Sequence, residues 1–300
     1  MKATDRPVAG WERAWLAAER LPPAYAGLAG RYFAPLAVQL AALHRERGRP
    51  LLIGVNGSQG SGKSTCCAWL VQALREEHGL SALALSLDDF YLTRAERAAL
   101  AASVHPLLAT RGVPGTHDID LLRATVSHLV GQGGTTVVHV PRFDKASDDR
   151  APAARWDRVE APVAVILLEG WCLGARPQAA ETLSAPVNAL EAAEDADGRW
   201  RRYVNAALRD AFLPLYNDVD RWVMLRAPSF DCVYRWRLEQ EHKLRARAGA
   251  GAAVMSDEEV ARFVQYFERL TRHCLAELPD RMDVIYSLDN DRHIVNVEGL

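Results

Sequence analysis

Residues Gly57, Ser58, Gln59, Gly60, Ser61, Gly62, Lys63 and Ser64 read GSQGSGKS, and Thr65 follows. Glycines, a lysine and a hydroxyl at this G-x-x-x-x-G-K-[ST] spacing bind phosphate. Backbone N–H groups of the turn converge on an anion, Lys63 reaches the β- and γ-phosphates, and Ser64 offers its hydroxyl to Mg²⁺. The apolar run Leu51–Val55 directly before it supplies the strand, and a helix starting near Lys63 aims its positive end at the same point.

Two acidic positions suit the same chemistry. Asp88 and Asp89, in SLDDFY, stand at the end of a second apolar segment, and ligands of open α/β sheets bind beyond the carboxyl ends of strands. A carboxylate there accepts the proton of an attacking hydroxyl or orients Mg²⁺; the alternative is an N-cap and turn pair, and the two roles can be divided between the aspartates. Glu169 ends VAVILLEG, where a carboxylate after a buried strand is tolerated at a tip near water or metal and can hold Mg²⁺ through water.

Three further segments carry charge. PRFDKASDDR contains Arg142, Asp144, Lys145 and Arg150, suited to a small polyhydroxylated anion or simply to a solvated loop. RGVPGTHD holds Arg111 and the His117–Asp118 pair on a backbone shaped by Gly and Pro. YRWRLEQEHKLRAR is either a solvated helix face with pairs such as Glu239–Lys243, or a lid whose Arg235 and Arg237 close over the transferring phosphoryl group.

The elements that must position these groups follow from periodicity. Helices are predicted at Trp11–Leu21 and Tyr32–His44 around the Pro22-Pro23 break, then at Ser64–His78, Arg94–Ser103, Ile119–Leu129, Trp200–Leu213, Asp231–Ala248 and Asp257–Glu277. Strands are predicted at Ala82–Leu87, Thr135–Val140, Val163–Leu168, Arg221–Leu225, Val284–Leu288 and His293–Val297, with Gly174–Ala196 a surface excursion and Gly249-Ala250-Gly251 a mobile break. Apolar strands alternating with helices imply an α/β fold with a mostly parallel sheet covered on both faces.

Composition narrows the classes. The 300 residues are 49% hydrophobic, enough for a large core. A net charge of −2 gives no global attraction to nucleic acid or an anionic membrane. The longest apolar run, Ala161–Leu168, is too short to span a bilayer, and the N-terminus lacks a signal-peptide apolar region. Cys66, Cys67, Cys172, Cys232 and Cys274 have no metal-ligand spacing; reduced thiols, no structural zinc and a cytoplasmic location are expected.

In order, GSQGSGKS, LDDFY, RGVPGTHD, PRFDK with its following DR, LLEGWCLG and FDCVYRWRLEQE resemble the plant-type D-glycerate 3-kinases and their kinase-like homologues. These belong to the wider group of uridine kinase, phosphoribulokinase and bacterial pantothenate kinase. The resemblance runs from about Leu51 to the C-terminus. It implies a P-loop NTPase fold, ATP and Mg²⁺, Asp88 as base, Glu169 assisting the metal, and Arg235 and Arg237 in the lid. Asp89, Tyr91, Arg111, His117, Asp118, Arg142, Asp144 and Lys145 are assigned to a small-molecule acceptor. The organisation expected is a helical extension over residues 1–48 and a kinase domain over 49–300, with acceptor-site insertions at about 105–160 and a lid helix at about 231–250.

The function expected is phosphorylation of a hydroxyl on a small organic acid, D-glycerate foremost, with uridine, pantothenate or a sugar phosphate as alternative acceptors. A regulatory P-loop NTPase of the GTPase type would carry N-K-x-D, which this sequence lacks.

Overall fold

Seven consecutive buried residues form the first strand, β1 (Leu51–Gly57). In the computed structural model, which describes residues 8–134, 136–247 and 255–300, this strand lies at the centre of the main sheet. Before it come α1 (Gly10–Ala18), α2 (Ala24–Tyr32) and α3 (Ala34–Arg47); after it come α4 (Lys63–His78), β2 (Ala82–Ser86), α5 (Arg94–Ser103) and α6 (Ile119–Leu129). Short strands follow: β3 (Val137–Val140), β4 (Phe143–Asp144), β5 (Asp149–Arg150) and β6 (Asp157–Glu160). The chain then returns to the core through β7 (Val165–Gly170), α7 (Ala189–Glu194), α8 (Arg199–Ala207), α9 (Leu213–Tyr216), β8 (Arg221–Arg226), α10 (Phe230–Arg247), α11 (Asp257–Glu277), β9 (Val284–Leu288) and β10 (Ile294–Glu298).

The sheet order is β10-β9-β8-β1-β7-β2, parallel throughout except for the antiparallel edge strand β10. Parallel pairing sets the ends of β1, β7, β2 and β8 along one edge. In this register Glu169 lies opposite Val55 on one side and Ser86 on the other. Chain segments far apart in sequence thereby reach a common opening.

Several boundaries differ from expectation for identifiable reasons. The N-terminal segment forms three helices, not two. Pro23 caps α2 and Pro35 sits in the first turn of α3, positions where a proline's missing N–H costs nothing. The predicted strand at 135–140 begins at Val137 and stays out of the main sheet, pairing antiparallel with β6, which the sequence did not suggest because it is largely exposed. The helix expected over Trp200–Leu213 is interrupted by a π turn at Leu208–Phe212. The excursion at 174–196 is anchored: Leu183 and Leu190 are buried, and Glu191 is ion-paired with Arg269 of α11 at 2.6 Å. The break expected at Gly249–Gly251 lies outside the described residues.

The N-terminal helices share one core with the phosphate-loop helix. Trp69 of α4 stands 5.7 Å from Trp11 and 6.2 Å from Phe33, and Phe33 meets Tyr286 of β9 edge-on at 5.5 Å. All five cysteines are buried free thiols, and no described helix is long and apolar enough to cross a membrane.

Inside β1, Gly54 has no room for a side chain: an added Cβ would lie 2.3 Å from the Trp222 ring of β8. Gly54→Ala must displace an indole packed against the apolar cluster that contains Leu52, Met224 and Ile285, so destabilisation by about 1–3 kcal/mol is expected in urea unfolding. A wild-type midpoint would show that Trp222 yields freely.

Candidate active site

The phosphate loop bends back on itself between β1 and α4. Gly60 and Gly62 adopt left-handed backbone (φ +79° and +88°), where side chains other than glycine's are strained. Gly60 has a second constraint: a Cβ there would sit 2.8 Å from Cβ of Trp236, because α10 packs directly on the loop. The hydroxyls of Ser58 and Ser61 are buried without a hydrogen-bond partner. Ser64 and Thr65 stand in the first turn of α4.

Glu169 joins the loop from β7. It accepts a hydrogen bond from Ser64 Oγ at 2.8 Å, and its other oxygen lies 3.5 Å from Lys63 Nζ. The residue is 6% exposed, and Oε2 accepts no hydrogen bond. A buried carboxylate with one unfilled oxygen, bonded through the other to the Ser64 hydroxyl, fits the hard-oxygen set that Mg²⁺ takes. Unpaired loop hydroxyls and a helix N-terminus likewise fit the phosphates of a nucleotide.

The turn after β2 sorts the two aspartates. Leu87–Phe90 is a single 3₁₀ turn with Leu87 and Phe90 buried, so Asp88 and Asp89 leave it in different directions. Asp88 faces the opening: Oδ2 pairs with Lys145 Nζ at 2.7 Å and Oδ1 accepts from the Tyr91 hydroxyl at 2.8 Å. Burial pushes its pKa up, but the charge and hydrogen bond of Lys145, then Lys63 and Tyr91, outweigh this and hold it at about 2. Asp89 turns inward to accept from Arg142 Nη1 at 2.6 Å and Phe143 N at 3.1 Å. Burial nonetheless raises its pKa above the usual carboxylate value against these donors.

A cleft of about 480 Å³ opens between these groups and α10–α11. Gln59, Lys63, Asp88, Tyr91, Arg111 and Lys145 line it. The cleft is also lined by an aromatic cluster that the sequence did not reveal, Trp171, Phe263 and Phe267, and by Gln240. Both phenylalanines lie on α11, and Phe267 stands 5.0 Å from each of the other two rings. The signal for Trp171 was present, since it follows the acid in LLEGW; the phenylalanines belong to an ordinary amphipathic helix. A larger groove of about 780 Å³ near Arg49 and Asp220 lies at the opposite ends of the strands, away from the phosphate loop.

Arg111 is ion-paired with Asp148, and its guanidinium stacks 5.4 Å from the Phe143 ring. Asp148 also takes buried Arg97 at 2.9 Å and adopts left-handed backbone (φ 54°), rare for aspartate. Arg237 lines the cleft, bonded to Glu241 at 2.5 Å and lying 5.7 Å from the Phe263 ring.

The other sequence-assigned residues face elsewhere. Arg235 points at Cys232 Sγ at 3.2 Å. His117 is 6% exposed, stacked 4.6 Å from Tyr91 and edge-on to Phe212, with neither ring nitrogen in a full hydrogen bond. Burial draws its pKa down to about 4 against the charge of Asp88, so the imidazole is neutral. Asp118 caps α6 through Leu121 N at 2.9 Å and accepts from Arg150 at 2.9 Å. Arg142 is shared by Asp89 and Asp157, and Asp144 closes its own turn by accepting from Ala146 N at 3.0 Å. His117, Asp118, Arg142 and Asp144 stiffen the loops around the cleft rather than line it.

No protein-family model matches the chain. The uncharacterized kinase mug58 of Schizosaccharomyces pombe is 36% identical over 236 residues, covering 74% of this chain and 80% of the relative. The chloroplastic D-glycerate 3-kinase of Arabidopsis thaliana is also 36% identical, over 227 residues; these are 73% of this chain but only 46% of the plant protein. Among solved structures, D-glycerate 3-kinase from Cryptococcus neoformans var. grubii superposes with a TM-score of 0.75 at 26% identity, covering 89% of this chain and 98% of that one.

Proposed function

Because the chain belongs to the family of plant-type D-glycerate 3-kinases and their kinase-like homologues, we propose that it phosphorylates the 3-hydroxyl of D-glycerate. The observation that carries this reading is the cleft itself: residues of the phosphate loop, an ionised carboxylate paired with Lys145, and Arg111 all line one opening. ATP is the phosphoryl donor; Ser64 and Glu169 would hold Mg²⁺ through their side-chain oxygens, and the ion would supply charge that neutralises the phosphates.

Each residue then has a task. The loop N–H groups and Lys63 hold the phosphates in place and spread their charge. Asp88 accepts the proton of the attacking hydroxyl, and Tyr91 fixes the orientation of that carboxylate through the bond to Oδ1. Arg111, braced by Asp148, is placed to take the acceptor's carboxylate. Arg237 approaches the transferred group from α10, with Glu241 setting its direction. Trp171, Phe263 and Phe267 keep water from the part of the cleft they line.

The test is a panel of acceptors with Mg·ATP, read by ADP release and by mass of the product. D-Glycerate is expected to be phosphorylated well and glycerol, which lacks the carboxylate, poorly. Arg111→Ala should raise the KM for glycerate and spare that for ATP, because a desolvated carboxylate loses its charge-assisted partner. Equal use of glycerol, or far better use of a nucleoside, would overturn the acceptor assignment while leaving a kinase.

A further inference from the structure

The cations in and around the cleft are held unequally. Arg142 is fixed by two carboxylates, Asp89 and Asp157, and Arg111 by an Asp148 that buried Arg97 also grips. Lys145 is different. It sits on the turn between β4 and β5 with its side chain 62% exposed, and among the described residues its ammonium has a single ion-pair partner, Asp88. A lysine is a point charge on a flexible four-carbon stem, so a pair of this kind exchanges partners easily.

That one contact falls on the carboxylate assigned as the base. Of the two oxygens of Asp88, Oδ1 is engaged by Tyr91 and Oδ2 by Lys145. Tyr91 is buried and stacked on His117, so its bond is part of the scaffold; the Lys145 bond lies in the open cleft.

We propose that Lys145 masks Asp88 until the carboxylate of the acceptor draws the ammonium away, so that the base is released only when an anionic acceptor is seated. This rests on the D-glycerate reading for the identity of the acceptor, though not for the mask. In the transfer step the acceptor oxygen bonds to the terminal phosphorus as its proton passes to Asp88. The bond from that phosphorus to the bridging oxygen breaks, and its electron pair leaves on ADP. While Lys145 holds Asp88, taking up the proton would sacrifice an ion pair with nothing to replace it. The carboxylate of a hydroxy acid supplies the replacement partner. Water and glycerol carry no charge with which to move the lysine, so the mask suppresses ATP hydrolysis and rejects neutral polyols by one device.

The experiment compares wild type with Lys145→Ala and Lys145→Arg, full-length and checked for unchanged melting, which the exposed turn position favours. ADP release from Mg·ATP is measured without acceptor, then kcat and KM for D-glycerate and for glycerol. Lys145→Ala is expected to release ADP without acceptor about tenfold faster or more. Its preference for glycerate over glycerol should shrink by at least as much, with Lys145→Arg restoring part of both. Unchanged or slower acceptor-free release would overturn the mask, even if the KM for glycerate rises, since that rise alone describes a lysine that only binds the acceptor. The acceptor-free measurement does not involve glycerate. A wild-type enzyme that ignores glycerate would therefore overturn the acceptor reading and leave the mask to be decided by ADP release alone.

Discussion

Replacing Asp88 with asparagine is expected to lower kcat for phosphoryl transfer by about 10²–10⁴-fold, with Mg·ATP affinity near that of the wild type. The amide keeps the shape of the carboxylate, and its oxygen can still accept from Tyr91, so the 3₁₀ turn and the stacked rings behind it are undisturbed. What is lost is the group proposed to take the proton. Asp89 cannot substitute, being turned inward onto Arg142 and Phe143 N. Steady-state kinetics with saturating nucleotide, beside a direct nucleotide-binding titration, separate the two effects. A loss of less than tenfold in kcat, or a matching loss of ATP affinity, would remove Asp88 from the role of base.

Lys63→Ala should cost at least about 10²–10³-fold in turnover, the scale seen when one preorganised charge donor is taken from a developing anion. The lysine side chain is 16% exposed, so its charge acts with little screening by water. Its removal also leaves Glu169 without its nearby cation, though Ser64 still donates to that carboxylate. Circular dichroism and melting establish that the variant is folded before rates are compared. Wild-type turnover in a folded Lys63→Ala protein would refute the phosphate-loop assignment.

The phosphate loop, the strands on either side of it and the acids at their tips were legible because each is a local pattern: a fixed spacing, or an apolar run ending in a charge. Sheet order is not local. Nothing in VAVILLEG states that it lies beside LLIGV, yet that adjacency puts Glu169 against Ser64. The charged loops were legible as charge but not as partnership. Arg111 and Arg142 look alike in sequence; one lines the cleft and the other is consumed by Asp89 and Asp157. Likewise, Asp88 and Asp89 are neighbours that only the buried Leu87 and Phe90 send to different places. His117 suggested chemistry because histidine often performs it, whereas here ring stacking with Tyr91 and Phe212 places it in the support of the site. Phe263 and Phe267 were invisible as site residues because an apolar position on an amphipathic helix gives no sign of whether it covers core or cleft.

The helix ending at Tyr32 meets strands far along the chain. Tyr32 donates to the carbonyl of Ile294, and Tyr286 donates to the carbonyl of Tyr32, so a helix is fastened to strands made more than 250 residues after it. During synthesis the outer face of Trp69 can gather Trp11 and Phe33 early, but Tyr286, which completes the packing around Phe33, arrives only after some 250 further residues have been joined. A nascent chain must therefore carry the phosphate-loop helix with one flank unfinished while those residues are added, an exposure that favours engagement by chaperones and makes truncations before β9 aggregation-prone.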